Sequence, residues 1–353
     1  MLRPRKMIQA FKDIGYDVFV VQGTSAERKP LINELKKSIE SGEKYDFMYA
    51  EASTMPTLLT DPGHLPLHPL MDYGFFGFLK KHGIRIGLFY CDVYWKFPDY
   101  AGAVKSWKRK IALLCYKYDI KQYRKYLDRF YVADMRVCGY LGDEALKSIS
   151  SELPPGAEDL EVFRSDTCPD FRTRPLRIFY VGGIGNHYQI LELVRAVYET
   201  ENTELTICCR EKEWSLEKHK YEPYLCDRIE IVHKSGDELE QYYSSVDICS
   251  LVFGRSVYMD MAKPFKAYEY LAHEIPVIST AGSGIGQLVE ENDIGWNVNF
   301  DHREVSEVFR KIIDDPGILK EKKANCARAK KINLWTVRAQ QVANDLSNCS
   351  KQQ

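Results

Sequence analysis

Short apolar runs alternate with amphipathic stretches along the whole chain. This pattern is typical of parallel strands joined by helices. The predicted strands of the first half are DVFVVQG (17–23), YDFMYAEAS (45–53), IRIGLFYCD (84–92) and RFYVAD (129–134). Those of the second half are LRIFYVGG, ELTICCR, RIEIVHK, DICSLVF, IPVIST and GWNVNF. The chain is therefore predicted to be an α/β protein.

A polar stretch that ends CPDFRTRPLR separates the two series of strands, as expected where few contacts cross between domains. We predict two Rossmann-like domains, at residues 1–168 and 169–332, with a linker near residues 165–175. Residues 333–353 are predicted to form a helix that packs back on the first domain. Because ligands bind at the carboxyl ends of parallel strands, substrates are expected in a cleft between the domains.

The chain opens with a helix followed by a strand, PRKMIQAFKDIGYDVFVVQG. The strand that precedes the first helix of a doubly wound domain is therefore missing, and two neighbouring strands lose ladder partners. Two explanations stay open: the true start lies upstream of Met1, or the domain is incomplete.

Composition excludes several classes of protein. A net charge of -1 gives no overall field that would attract nucleic acid or lipid. No apolar run is long enough to span a bilayer, and the basic start lacks the apolar region of a signal peptide, which predicts a cytoplasmic protein. The ten cysteines form no CxxC pair, so neither a zinc site nor a disulfide framework is predicted.

The stretch PFKAYEYLAHEIPVIST (264–280) combines a helix with an uncharged strand. Phe265 and Tyr268 share an apolar helical face, whereas Lys266 and Glu269 neighbour each other on a polar face. On spacing alone, Lys266 and Glu269 are expected to form an ordinary ion pair on a surface helix.

This stretch also resembles the donor-site segment of GT-B fold glycosyltransferases, especially the family 4-like group, whose pattern is roughly P-x-K-x-x-E-Y-x-A-x-G-x-P-V. LPPGAED, FYVGGIGNHYQILELVRAV and STAGSGIGQLVEENDIGWNV resemble other segments of that family, in the family's order. The resemblance implies a GT-B fold with a nucleotide-sugar donor in the second domain and a sugar acceptor in the first. It implies that Glu269 accepts hydrogen bonds from ribose hydroxyls, and that Lys266 and Lys263 face the diphosphate at a helix N-terminus.

Further donor-binding candidates follow from position. Gly182, Gly183 and Gly185 let a backbone approach a phosphate, although a structural turn explains them equally well. The remaining candidates are Arg210 and His233 at strand ends, and Ser283 and Gly284 in the segment after the donor helix.

Two departures from the family pattern bear on mechanism. Gly183 and Tyr188 stand where an arginine and a lysine usually contact the diphosphate, and Met261 stands where a glutamate is expected eight residues before Glu269. The chain more loosely resembles inverting xanthan-type glucuronosyltransferases, which place a base in the amino-terminal domain. Retention and inversion both stay open.

Inversion needs a general base near the acceptor hydroxyl. Asp92 directly follows an apolar strand and is the first candidate, although it would serve equally as a cap for the next segment. Glu51, at the end of the preceding strand, is the second. The acceptor-binding candidates are Tyr94 and Trp95, whose rings offer stacking faces, and the loop histidine His64, with His68 beside it.

Residues 94–130 include the basic, aromatic segment WKRKIALLCYKYDIKQYRKYLDRF. Such a helix can lie on an anionic membrane surface, or it can pack one face on the sheet and solvate its lysines. No nucleic-acid motif accompanies it, so nucleic acid is not a predicted partner.

The resemblance thus implies a metal-independent hexosyltransferase that uses a nucleoside-diphosphate sugar and no cofactor, in the synthesis of a surface polysaccharide. A donor loop with a DxD-like carboxylate pair is not found, so no metal site is predicted. The alternatives are a nucleotide-sugar 2-epimerase and a non-catalytic subunit that binds a partner glycosyltransferase.

Overall fold

A computed structural model of the chain describes residues 2–98, 100, 102, 105–162, 168–185 and 188–347. It divides into two compact units, Met1–Pro154 with Trp335–Gln353, and Pro155–Leu334. The first boundary lies earlier than the predicted residue 168, because Ala157 already bridges to Leu334 within the second unit. Residues 165–167 of the predicted linker lie outside the described residues.

The first unit contains a four-stranded parallel sheet of order β1-β2-β3-β4. Its strands are β1 (Phe47–Glu51), β2 (Arg85–Phe89), β3 (Arg129–Val132) and β4 (Ser150–Glu152). Its helices are α1 (Leu2–Asp13), α2 (Ser25–Glu40), α3 (Met71–Lys81), α4 (Ser106–Tyr126), α5 (Arg136–Leu141), α6 (Glu144–Ser148) and, at the end of the chain, α15 (Trp335–Ser347).

The predicted strand at 17–23 is wrong. This segment carries no strand assignment, and Phe19 within it is 36% exposed. A strand needs a ladder partner for its backbone groups. Within the described part of the chain β1 pairs with β2 alone, so the segment 17–23 has no ladder partner there.

The second unit contains a six-stranded parallel sheet, and all six strands predicted for this half are present. They are β5 (Leu176–Val181), β6 (Thr203–Cys208), β7 (Ile229–Val232), β8 (Ile248–Leu251), β9 (Val277–Thr280) and β10 (Gly295–Val298). The helices are α7 (Leu191–Glu199), α8 (Glu211–Glu217), α9 (Glu240–Tyr243), α10 (Val257–Asp260), α11 (Phe265–Ala272), α12 (Gly284–Asn292), α13 (His302–Asp314) and α14 (Gly317–Ile332).

The strand order of the second sheet, β10-β9-β8-β5-β6-β7, creates a switch point between β5 and β8. From β5 the chain moves to β6 and β7 on one side, and from β8 it moves to β9 and β10 on the other. The loops that leave the carboxyl ends of β5 and β8 therefore diverge. Ligands of open α/β sheets bind in the crevice that such diverging loops create.

Candidate functional site

The turn after β5 brings backbone to one side of the switch point. Gly182 has φ +140°, a conformation that side chains rarely adopt. A Cβ atom at this position would lie 2.8 Å from the Lys266 Nζ atom, so only glycine lets the ammonium group come this close. The hydroxyl of Tyr180 donates a hydrogen bond to the Gly183 carbonyl and fixes the turn.

Lys266 approaches the turn from the first turn of α11, which Pro264 precedes as N-cap residue. Its Nζ lies 3.1 Å from the Tyr180 hydroxyl and 4.2 Å from the centre of that ring. Burial lowers the pKa of Lys266 to about 7, and the carboxylates of Glu269 and Glu213 oppose that shift. The switch point therefore holds an ammonium group that is poorly solvated and would gain from an anion.

Glu269 lies three residues further along α11 and is half-buried. The charge of Glu269 raises the pKa of Lys266. Burial raises the pKa of Tyr243, and the charge of Glu269 raises it further. One helix thus presents a cation and a carboxylate at the carboxyl edge of the sheet. Such a pair can hold a phosphate and a vicinal diol side by side.

Glu213, on α8, was missed by the sequence analysis. Its Oε1 atom accepts hydrogen bonds from the backbone N–H groups of Ile184 (3.1 Å) and Gly185 (3.3 Å). Its Oε2 atom is buried and has no hydrogen-bond partner among the described residues. A carboxylate therefore occupies amides of the kind that bind phosphate. The position in CCREKEW, just after strand β6, was the available signal.

The other predicted donor residues occupy several positions. Ser283 caps α12: its Oγ accepts from Gly286 N (2.9 Å) and donates to Thr280 O (2.7 Å), so its hydroxyl is committed to the cap. Gly284 is the first residue of that helix and is buried. Lys263 is half-buried just before Pro264, whereas Arg210 and His233 are exposed after β6 and β7.

The departures from the expected pattern are filled by packing. Met261 is 4% exposed, and the ring of Tyr188 packs edge-on against Phe253. Asp260, next to Met261, forms an ion pair with Arg255 at 2.7 Å. No group of residues in the described ranges has the arrangement of a metal site.

In the first unit, Asp92 has the contact of a cap. Its Oδ1 accepts a hydrogen bond from Tyr94 N at 2.8 Å, at the start of a short 3₁₀ turn, and Tyr94 itself is half-buried. Trp95 is buried, donates to the Tyr90 hydroxyl (2.7 Å) and stacks on Tyr116 (4.8 Å between ring centres). The prediction that Trp95 stacks on a sugar is therefore wrong, because its ring belongs to the core.

Glu51 ends β1 and lies beside Arg3, with 3.3 Å between Oε1 and Nε. It also accepts a hydrogen bond from the Tyr49 hydroxyl at 2.9 Å. Burial raises the pKa of Glu51, although Arg3 and Tyr49 oppose the shift. Glu51 therefore already has two partners for its carboxylate.

His64 is exposed in its loop, with Nδ1 3.0 Å from the Leu59 carbonyl.

Comparison with known proteins agrees with this geometry. Residues 175–315 match the model of a family described as Glycosyl transferases group 1. The predicted resemblance to that family is thereby confirmed for the second unit. Comparison with curated proteins gave no match.

Solved structures extend the similarity to nearly the whole chain. HepE of Anabaena in complex with UDP has 11% sequence identity and a TM-score of 0.59, over 94% of this chain and 85% of that one. Sucrose-phosphate synthase of Thermosynechococcus elongatus has 16% identity and a TM-score of 0.58, over 97% and 91%. WaaG, a glycosyltransferase involved in lipopolysaccharide biosynthesis, has 11% identity and a TM-score of 0.52, over 94% and 98%. These similarities confirm the GT-B fold.

Proposed function

We propose that the chain is a glycosyltransferase that moves a hexosyl unit from a uridine-diphosphate sugar to a hydroxyl of a saccharide or lipid-linked saccharide. The observation that carries the proposal is the pairing of Lys266 with Gly182 at the switch point, with Glu269 on the same helix. Lys266 and the N-terminus of α11 neutralise the diphosphate without a metal ion, and Glu269 binds the ribose.

The match to group 1 glycosyltransferases supports transfer chemistry. Two solved structures of HepE, one with UDP and one with UDP-glucose, support the uridine nucleotide. We assign the protein to surface-polysaccharide synthesis at the cytoplasmic side of a membrane.

A thermal-shift panel of nucleotide sugars and free nucleotides tests the proposal, because a ligand that binds only the folded state raises the melting temperature. Uridine-diphosphate sugars are expected to raise it, and adenosine and guanosine diphosphates at equal concentration serve as controls. A melting temperature that no nucleotide in the panel raises would contradict the proposal.

A non-catalytic binding subunit is the second candidate, and one observation favours it. The Glu213 carboxylate already occupies the amides of Ile184 and Gly185, which a diphosphate would use. This candidate predicts that no nucleotide in the panel binds, so the same experiment separates the two.

Donor binding is expected to depend on pH through Lys266. Its pKa of about 7 means that the ammonium form is lost in the free protein as pH rises above that value. A diphosphate favours the charged form, so binding takes up a proton and UDP affinity falls by up to about tenfold per unit from pH 7.5 to 9. Calorimetry across this range measures the slope. Lys266→Met should bind weakly with a flat profile, and a flat wild-type profile would contradict the assignment.

The outer face of α4 supports contact with an anionic membrane. The helix has seven basic residues and one acidic residue, Asp119, which is buried. Trp107 (61% exposed), Ile111 (46%) and Leu114 (67%) follow one another at helical spacing on the solvent side. An apolar strip within a basic face is the composition of an interfacial helix. No described helix is long and apolar enough to cross a bilayer.

Sedimentation with vesicles containing phosphatidylglycerol tests this contact. Changing Trp107, Ile111 and Leu114 together to serine should lower the apparent affinity at least roughly tenfold, because three exposed side chains lose their burial in the interface. The control changes Tyr198 and Leu216, which are 47% and 65% exposed in the second unit, to serine. Equal binding of all three proteins would argue against a role for α4.

A further inference from the structure

The glycines of the turn after β5 make room for charged side chains of the protein itself. A Cβ atom on Gly183 would lie 3.1 Å from Glu213 Oε1, and a Cβ atom on Gly185 would lie 3.1 Å from Glu217 Oε1. The first glycine of the turn makes the same room for the ammonium group described above. Two carboxylates of α8 therefore lie against the backbone that the proposed donor would use for its diphosphate.

Glu213 binds this backbone in the way that a phosphate oxygen would. Its Oε1 atom accepts hydrogen bonds from both Ile184 N and Gly185 N, at 3.1 and 3.3 Å. Successive backbone N–H groups of a turn form a concave site for anions. Both N–H groups here are directed at the same carboxylate oxygen, so a diphosphate can bind them only after Glu213 has moved.

The other contacts of Glu213 and of its helix are weak. The Oε2 atom is buried and has no hydrogen-bond partner among the described residues, which costs free energy. Helix α8 has no buried residue, and Leu216 on it is 65% exposed. Its Trp214 ring stacks on Tyr221, with 5.9 Å between ring centres. An element with so little buried surface opens at a lower cost than a core element does.

The turn is held independently of Glu213. The buried Tyr180 donates its hydroxyl proton to the Gly183 carbonyl, and the buried Tyr221 donates to the Ile184 carbonyl at 2.7 Å. Both tyrosines bind carbonyl groups and leave the N–H groups of the turn available. The turn can therefore keep its shape while one anion replaces another on its amides.

Glu213 also acts on the cation of the site. Burial lowers the pKa of Lys266 to about 7, and the charges of Glu269 and Glu213 oppose that shift. The Glu213 carboxylate thus interacts with the same ammonium group that the proposed diphosphate needs. Because like charges repel, the carboxylate and the diphosphate exclude each other from the site.

We propose that Glu213 is an internal competitor of the donor diphosphate: it occupies the anion site of the free protein and is displaced when the nucleotide binds. The inference rests on the proposed function. Apparent affinity falls in proportion to the fraction of molecules whose site is open. Minor conformations commonly amount to about 10% or less, so the competition lowers the affinity for UDP at least roughly tenfold.

Calorimetry with UDP on the full-length protein tests the competition, at about pH 6 so that Lys266 is charged. Glu213→Ala should bind UDP at least roughly tenfold more tightly than the wild type, and inorganic pyrophosphate should show the same gain. Glu213→Gln should also gain affinity, because its neutral oxygen is a weaker acceptor. The control is Glu211→Ala, which removes an exposed carboxylate from the same helix and should bind UDP as the wild type does.

Amide hydrogen exchange measures whether the same N–H groups are involved. Without ligand, the amide hydrogens of Ile184 and Gly185 should exchange faster in Glu213→Ala than in the wild type, and saturating UDP should protect them in both proteins.

Two results would overturn the competition. They are equal or weaker UDP binding by both Glu213 variants, and a gain in Glu211→Ala as large as theirs, which would show a general effect of charge. If the wild type and both Glu213 variants all fail to bind UDP and uridine-diphosphate sugars, the proposed function itself is removed.

Discussion

Replacing Glu269 with alanine is expected to weaken UDP binding by about 1–3 kcal/mol, or from roughly fivefold to more than 100-fold, because hydrogen bonds from the ribose hydroxyls to a charged acceptor are lost. The residue is half-buried on α11, three positions after the lysine that faces the glycine turn. Truncation leaves the Gly182 turn and Lys266 in place, so the loss should appear in affinity and not in folding. Calorimetry with UDP measures it.

Two comparisons isolate the ribose contact. Glu290, exposed on α12, provides the control, and Glu290→Ala should bind UDP as the wild type does. Inorganic pyrophosphate, which has no ribose, is the second comparison: Glu269→Ala should lose more affinity for UDP than for pyrophosphate. Unchanged UDP affinity in Glu269→Ala would mean that the carboxylate is an ordinary surface charge.

Replacing Lys330 with methionine is expected to destabilise the second unit by about 3–5 kcal/mol, because it removes the ammonium group of a buried ion pair. Lys330 Nζ lies 2.8 Å from Glu274 Oε1, and the two side chains are 6% and 5% exposed. The ammonium also donates to the Leu160 carbonyl at 2.7 Å. The melting midpoint of this unit should fall by roughly 6–20 °C.

The stability prediction has a matched control on the same helix. Lys331 is the next residue on α14 and is exposed, so Lys331→Met should leave the midpoint nearly unchanged. Adding Glu274→Gln to Lys330→Met also removes the buried carboxylate charge and should recover much of the loss. A loss of less than about 1 kcal/mol in the single variant would show that the carboxylate is solvated or protonated without cost.

The sequence predicted the strands of the second sheet at its centre and at its edges alike. Runs such as LRIFYVGG and DICSLVF become central strands of the second sheet, and their apolar composition follows from burial on both faces. DVFVVQG has the same composition and forms no strand. An apolar composition predicts that a segment is buried. A strand also needs a neighbouring strand for its backbone hydrogen bonds, and the segment's own residues do not show whether one is present.

The candidate site was predictable where residue spacing determines proximity. Lys266 and Glu269 share a helix, so their neighbourhood followed from their separation of three residues. The contacts of Glu213 and Tyr180 with the glycine turn depend on loops and on long-range packing, which spacing does not report. Trp95 illustrates the converse error: an aromatic residue after a strand resembles a stacking surface, but its indole N–H finds a buried partner in Tyr90.

The most direct measurement is a crystal structure of the protein with UDP. The account predicts that the diphosphate lies against Gly182–Gly185 and the Lys266 ammonium, that the ribose hydroxyls contact Glu269, and that the Glu213 carboxylate has left the amides of Ile184 and Gly185. A structure at saturating UDP that shows the nucleotide elsewhere, or shows Glu213 still on those amides and no nucleotide, would contradict it.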